Sequence, residues 1–365
     1  MATPLGEKLT AIITENGPIS IADYMRHCLA DPAHGYYATR DPLGAAGDFI
    51  TAPEISQMYG EMIGAWLVHA WQAAGAPERA ILAEAGPGRG TLMADILRAG
   101  RLDSAFLNAV SVHLIETSPA LRGKQKAILS DLSGVQSPVT WHERIEDLPD
   151  HPLFFIANEF FDALPIRQYV WKDNGWRERV VGLDDAGNLA FGLGPGRLDP
   201  RAANAPDGPV EGNVFEIRPA ATAIMENLAS RIATFGGAGL IVDYGYGQPA
   251  FGDTLQAVKN HAYADPLADP GEADLTAHVD FAALARSARE AGAVAHGPMD
   301  QGAFLLATGL LERAGQLGAG KDATARQAIS DAVERLAGPA AMGTLFKVLA
   351  LTPAGVILPP FAADN

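Results

Sequence analysis

A single cysteine, Cys28, stands among 365 residues. No disulfide can form within the chain, so a reducing compartment is expected, and Cys28 itself reads as a small buried hydrophobe. Basic residues are also scarce: 27 Lys and Arg face 43 Asp and Glu, a net charge of −16. An acid surplus of that size repels phosphate backbones and anionic lipid, which argues against nucleic acid and membrane surfaces as partners and favours cationic ones. The most apolar stretch, Ala340 to Phe361, is broken by Lys347, Pro353, Pro359 and Pro360 and fails as a membrane span. The opening MATPLGEKLTAIITENG carries Glu7 and Glu15 and lacks an apolar signal core or an Arg-rich, acid-poor leader, so a cytoplasmic protein is expected. Charged residues make up 19% against 48% hydrophobic. That balance excludes disorder as the main state and fits one large domain with insertions or two ordinary ones.

Residues 1–75 read as helices joined by loops. Ser20 is placed to cap a helix through Leu29, and Ile55 to Ala73 carries apolar residues at helical spacing. Between them PAHGYYATRDPLGAAGDFITAPEIS is rich in Gly, Pro and aromatic residues, an ordered functional loop whose Tyr36, Tyr37, Phe49 and Ile50 need packing partners. From residue 80 short apolar runs alternate with helical segments. Ala80–Ala85, Val110–Ile115, Val139–Trp141, Leu153–Ala157 and Leu240–Val242 read as buried strands; Thr91–Arg98, Pro119–Leu129 and Pro219–Thr234 read as the helices between them, with Ser118 and Pro119 starting the second. The alternation predicts an α/β, Rossmann-like fold with a doubly wound, mostly parallel sheet, closed by a last strand in GTLFKVLAL. Such sheets bind ligands at the carboxyl ends of their strands. Residues 166–216 interrupt the pattern with a hairpin around Asn174-Gly175, a second in VVGLDDAGNLAFGL, and a Pro/Gly/Asp-rich loop. The expected division is therefore an N-terminal region 1–75, a core over 76–165 and 217–365, and a β-rich insertion 166–216.

In ILAEAGPGRGTLMADILR, Gly86, Gly88 and Gly90 lie between a strand and a helix, where they permit a tight turn and close backbone approach to a ligand. The dinucleotide fingerprint fails, because its third glycine position is Thr91, and no Gly-Lys-Ser/Thr follows to make a phosphate loop. What remains, Glu84-x-Gly-x-Gly-x-Gly, resembles the first motif of class I S-adenosylmethionine-dependent methyltransferases. That cofactor carries a sulfonium and an ammonium and no phosphate, so nearby carboxylates favour it. Glu116, ending the next strand in HLIETSP, suits the two ribose hydroxyls. Alternatively the glycines form only a tight turn, and Glu116 is a solvated strand end.

FFIANEFFDALPIRQ sets Asn158, Glu159, Phe160, Phe161 and Asp162 after a buried strand. Two carboxylates three residues apart on a turn or first helical turn can hold a guanidinium by charge-assisted bonds, with a phenylalanine face beside it. In the alternative, Asn158 caps a helix, Glu159 and Asp162 are favourable first-turn charges, and the phenylalanines are core.

GDFITAPEISQMYGEMIGAW, EAGPGRGTLMADILR, IETSPALRGKQ, FFIANEFFDALPIRQ, LIVDYGYG and DLTAHVDFAAL together resemble, in order, the MidA-like family, the family of mitochondrial complex I assembly factor 7. The resemblance runs from about Gly17 to the last strand. It implies a class I methyltransferase fold, S-adenosylmethionine as cofactor, and an arginine of a partner protein as acceptor, by extension a subunit of the NADH dehydrogenase complex, with symmetric dimethylarginine as product. On that reading Glu84, Gly86, Pro87, Gly88, Gly90, Thr91, Glu116, Thr117 and Asn158 hold the cofactor. Glu159 grips the acceptor with Asp162 as partner and Asn158 bridging, while Tyr36, Phe49, Glu54, Phe160, Asp243 and Tyr244 line the acceptor site. The N-terminal loop, Thr51 included, folds over the cofactor. A small-molecule methyltransferase and a non-catalytic assembly chaperone that binds the cofactor remain alternatives. His261, Asp265, Asp269, Glu272, Asp274, His278 and Asp280 fall close together but match no ligand spacing, and Asp280 reads as a helix cap; no metal is expected.

Overall fold

The structure, a computed structural model, describes residues 3–39, 51–130, 138–201 and 203–361. The chain divides into two compact units of interleaved segments. One comprises Ile50–Phe160, Ile224–Gly245 and Leu284–Asn365; the other comprises Met1–Phe49, Phe161–Ala223 and Tyr246–Ala283.

The first unit is built on seven strands: β1 (Ala80–Ala85), β2 (Val110–Ile115), β3 (Thr140–His142), β4 (Leu153–Asn158), β5 (Gly237–Tyr246), β6 (Val294–Asp300) and β7 (Phe346–Thr352). They lie in the order β3-β2-β1-β4-β5-β7-β6. The first five are parallel, and β7 runs antiparallel to both neighbours. This is the expected mostly parallel, doubly wound sheet. Every residue of β1 and β4 is buried, which is why both read as continuous apolar runs. Strand order reverses between β1 and β4, and their carboxyl ends form the crevice where such sheets take ligands.

Two helices set that edge. α1 (Gln57–Ala73) starts at Ser56, whose hydroxyl accepts the Met58 N–H at 3.2 Å. α2 (Thr91–Gly100) follows β1. The two approach closely because α1 offers glycines: a Cβ on Gly60 would lie 2.5 Å from Asp95 Cβ, and one on Gly64 2.9 Å from Ile96 Cα. A third helix, α3 (Pro119–Ser130), begins after Ser118, whose hydroxyl accepts the Leu121 N–H at 3.4 Å. β6 was not expected from the sequence. Its VAHGPMD is no apolar run, and the register of the β6–β7 pair shifts between His296 and Met299, across the Gly-Pro.

The second unit holds a five-stranded antiparallel sheet in which Gly175–Leu183 pairs with Arg167–Lys172, Leu189–Arg197 and Ile19–Ser20. Both expected hairpins form, but the first turns one residue early. Lys172 faces Gly175, and Asp173 and Asn174 occupy the turn with φ of 51° and 58°, values that Asp and Asn tolerate. A three-stranded sheet spans Gln256–Lys259, Ala262–Ala264 and Asp274–Thr276. The expected boundaries at 75, 165 and 217 are redistributed. Residues 57–73 join the sheet unit because α1 packs on α2, and 246–283 leave it because Ala257, Leu275 and Ala277 share a core with Leu5, Leu9 and Tyr24.

Candidate active site

After β1 the chain turns through Gly86, Pro87, Gly88 and Gly90 into α2. The three glycines have φ of 64°, 52° and 89°, a region other residues enter only at a cost. At Gly86 the requirement is double, since a Cβ would stand 3.0 Å from the Phe160 ring. The Pro87 carbonyl accepts the Gly90 N–H at 2.7 Å, closing the turn. Gly90 brings no side chain to cap α2, and of the first-turn N–H groups that of Met93 bonds to the Glu84 carboxyl. The Thr91 hydroxyl donates to Glu54 Oε1 at 2.7 Å, and Arg89 lies 3.9 Å from the other oxygen of Glu54.

Glu84, near the end of β1, is 2% exposed, and its Oε2 has no hydrogen-bond partner among the described residues. Burial pushes its carboxyl up to about 8. A buried acid with an unsatisfied oxygen is the complement of a cation or donor supplied by a ligand. Glu116, following β2, accepts the Ser118 N–H at 2.8 Å on one oxygen and Gln125 Nε2 at 3.2 Å on the other. Burial raises its carboxyl above the usual range, and these donors oppose the rise. Each oxygen keeps lone-pair capacity for a hydroxyl. Gln125 Nε2 also donates to the Gly88 carbonyl at 2.8 Å, while its Oε1 accepts Trp141 Nε1 at 2.8 Å. Gln125 thereby ties the glycine loop to Glu116. Thr117 is exposed.

At the end of β4, the Asn158 Nδ2 donates to Glu159 Oε1 at 3.1 Å, and the Ala52 N–H donates to the same oxygen at 3.2 Å. The Glu159 N–H donates to the Val242 carbonyl of β5 at 2.9 Å. Asn158 caps no helix: residues 159–166 are turn and loop, and Glu159 has φ of 51°. A glutamate in the left-handed region is a strained arrangement of the kind that collects at functional sites. The Tyr59 hydroxyl of α1 donates to Asn158 Oδ1. Asp243 on β5 is fully buried, with the Tyr244 N–H donating to its Oδ1 at 2.9 Å, and the Tyr244 ring packs edge-on against Phe346 at 5.5 Å.

One unit thus gathers Glu54, Glu84, the glycines, Thr91, Glu116, Asn158, Glu159, Phe160, Asp243 and Tyr244 on the elements of its sheet. Asp162 belongs to the other unit, which begins at Phe161; it is 6% exposed, and its carbonyl accepts the Ala277 N–H at 3.0 Å. Tyr36 is also there, fully buried in that unit's core with its ring 5.3 Å from Tyr37, a packing position rather than a lining one. Phe49 lies outside the described residues. The acids near residue 270 have other work: Lys259 Nζ holds Asp269 and Glu272 at 2.7 and 3.0 Å, Asp274 accepts the Tyr37 hydroxyl, and Asp280 accepts the Ala283 N–H. Among the described residues no group of His, Cys, Asp and Glu is arranged to hold a metal ion, and no helix is long and apolar enough to cross a membrane.

Tyr59, Gln125 and the Ala52 N–H are the site groups that the sequence does not announce. Tyr59 sits in an apolar helical stripe and so reads as core, and its partner is 99 residues away.

The residues present fit S-adenosylmethionine: Glu84 has a buried oxygen without a partner among the described residues, the left-handed glycines leave room for backbone approach, and each Glu116 oxygen keeps capacity to accept a hydroxyl. The family model that matches residues 62–299 describes an S-adenosyl-L-methionine-dependent methyltransferase. Over nearly its whole length the chain is similar to the protein arginine methyltransferase NDUFAF7, mitochondrial, of Mus musculus, at 39% identity over 380 residues covering 96% of this chain and 85% of the mouse protein. The Homo sapiens protein is 38% identical over 374 residues, covering 96% and 84%. A COG1565 superfamily member from Burkholderia thailandensis, solved bound to S-adenosyl-homocysteine, superposes with a TM-score of 0.82 at 30% identity, covering 95% of this chain and 91% of that one. The animal relatives are named as mitochondrial, which overturns the expectation of a cytoplasmic protein. An acid surplus and a lone cysteine suit any reducing aqueous compartment and do not tell one from another. The match along the chain, with the glycine loop and its two acids in place, makes this protein a member of the S-adenosylmethionine-dependent methyltransferase family, with S-adenosylmethionine as its methyl donor.

Proposed function

We propose that this protein methylates a guanidino nitrogen of an arginine in a partner protein, a subunit of respiratory complex I. The observation that carries the reading is Glu159, a carboxylate held at the carboxyl end of β4 in a strained conformation, with one oxygen fixed by two N–H donors. Its neighbour Phe160 lies against Gly86 of the glycine loop. The names of the relatives support arginine as acceptor, and the resemblance to the complex I assembly factor family supports the partner.

When bound, S-adenosylmethionine supplies an electrophilic methyl on a sulfonium. The residues of the chain supply position and charge, which carry most of an in-line displacement. A guanidinium is a poor nucleophile because it stays protonated in water. Glu159 grips it by charge-assisted hydrogen bonds, turns one nitrogen toward the methyl and draws the positive charge to the far nitrogen. The acceptor nitrogen loses one proton as it gains the methyl, and a carboxylate within hydrogen-bond reach is the group to receive it. Asn158 bridges cofactor and acceptor, and Phe160, Asp243, Tyr244 and Glu54 are assigned as the walls of the acceptor channel. The β-rich segment 166–216 is assigned to recognition of the partner, a surface that a small acceptor would not need.

The test is incubation with isotopically labelled S-adenosylmethionine and lysate from a deletion strain, followed by mass spectrometry. Label on a protein arginine supports the proposal. Label in the small-molecule fraction refutes it in favour of a small acceptor, and no label despite measured cofactor binding refutes it in favour of an assembly chaperone.

A further inference from the structure

Tyr59 is fully buried in α1, and its hydroxyl donates to the Oδ1 of Asn158. Packing alone would be served by phenylalanine; a buried hydroxyl costs free energy unless it is bonded, so its partner indicates its use. That partner is a neutral amide, although the charges of Glu159, Asp243 and Glu84 all act on the phenol. Burial first, and those three charges after it, hold the phenol well above its usual range, so it stays protonated and remains a donor. With Oδ1 taken by a donor, the Nδ2 of Asn158 is left on the other side, where it donates to Glu159 Oε1 at 3.1 Å. A flipped amide would set Oδ1 against the Glu159 carboxylate, two acceptors face to face, and would turn an N–H toward the hydroxyl. Asn158 is only 7% exposed, so water has little room to repair such a mismatch.

We propose that Tyr59 is a positioning residue for Glu159, acting through Asn158: it locks the Asn158 amide in the one orientation that presents an N–H to the Glu159 carboxylate. The inference rests on the reading of Glu159 as the group that grips the acceptor. Sequence places Tyr59 far from both residues, and α1 brings it to them.

The test is Tyr59→Phe, with Asn158→Ala and the double variant. In uniformly 15N-labelled ligand-free protein, the side-chain amide pair of Asn158, assigned by its absence in Asn158→Ala, is expected to exchange with solvent at least 10-fold faster in Tyr59→Phe than in the wild type. With labelled cofactor and the protein acceptor, Tyr59→Phe is expected to lower kcat roughly 10-fold, as loss of one hydrogen bond implies. The KM for S-adenosylmethionine is expected to change less than kcat, because the hydroxyl meets the Oδ1 of Asn158 and the N–H it fixes faces Glu159. The double variant should be no slower than Asn158→Ala alone, since Tyr59 has nothing to act through once the amide is gone. Unchanged amide exchange in Tyr59→Phe, or losses that multiply in the double variant, would overturn the proposal. The exchange experiment needs neither cofactor nor acceptor, so its failure refutes the relay alone. Wild-type turnover in Glu159→Gln refutes the assignment of Glu159 itself.

Discussion

Glu84→Gln is expected to weaken cofactor binding in a pH-dependent way while stabilising the ligand-free protein at high pH. Burial moves the Glu84 carboxyl from 4.5 to about 8, so ionising it inside the protein costs roughly 4 to 5 kcal/mol more than in water, at about 1.4 kcal/mol per pH unit. The folded value lies above the unfolded one. The stability this group contributes is therefore fully present below pH 4.5 and is lost as pH rises through about 8. Glutamine removes that slope, and between pH 5 and 9 the unfolding free energy of the variant should gain on the wild type by up to roughly 4 kcal/mol. A cationic ligand reverses the balance by favouring the carboxylate, so at pH 7 the wild type should release between about half and nearly one proton on binding and the variant none. Deprotonation at pH 7 consumes roughly half or more of the strength of a charge-assisted bond. The affinity loss in the variant should therefore be only several-fold at pH 7 and about 10- to 100-fold at pH 9. Isothermal titration calorimetry with S-adenosylmethionine, in paired buffers of different ionisation enthalpy, measures both quantities. Equal affinities from pH 6 to 9 with no difference in proton release would refute the assignment of Glu84 to the cofactor.

Glu159→Gln keeps the shape but removes the charge that grips a guanidinium, and should cut turnover by about 100-fold or more, near 3 kcal/mol, while cofactor affinity stays within about twofold by calorimetry. Gly86→Ala places a side chain at φ 64° and 3.0 Å from Phe160; urea unfolding should show a loss of about 1 to 2 kcal/mol, with weaker cofactor binding. Burial pushes His113 down to about 4, and its Nδ1 sits 2.8 Å from His142 Nε2. Its contribution to stability is present above pH 6.5 and lost as pH falls through about 4, so unfolding free energy should drop by roughly 3 kcal/mol across that window, and by less in His113→Asn.

The strands that carry the site were legible because a parallel strand covered on both faces must be apolar throughout: Ala80–Ala85 and Val110–Ile115 are found with the bounds expected of them. Strand β6 was not, since an edge strand interrupted by Gly297-Pro298 has no such run. The glycine turn was legible because backbone conformation leaves a local imprint: Gly86, Gly88 and Gly90 all take positive φ. Tyr59 and Gln125 left none, as a hydroxyl in an apolar stripe and an amide on a helix acquire meaning only from partners brought together by the fold. Tyr36, assigned to the acceptor site on the resemblance, lies in a hydrophobic core, which meets the need for packing partners that the aromatic residues of its loop announced. The compartment was not legible at all, because composition reports solvation and redox state and not address.

The most direct test of arginine methylation through Glu159 is tandem mass spectrometry of the acceptor protein after reaction with deuteromethyl S-adenosylmethionine, comparing wild type with Glu159→Gln. A heavy methyl on an arginine side chain is expected with the wild type and at least about 100-fold less of it with the variant, while both bind the cofactor alike. A heavy methyl on any other residue type, or equal arginine labelling by the two proteins, would contradict it.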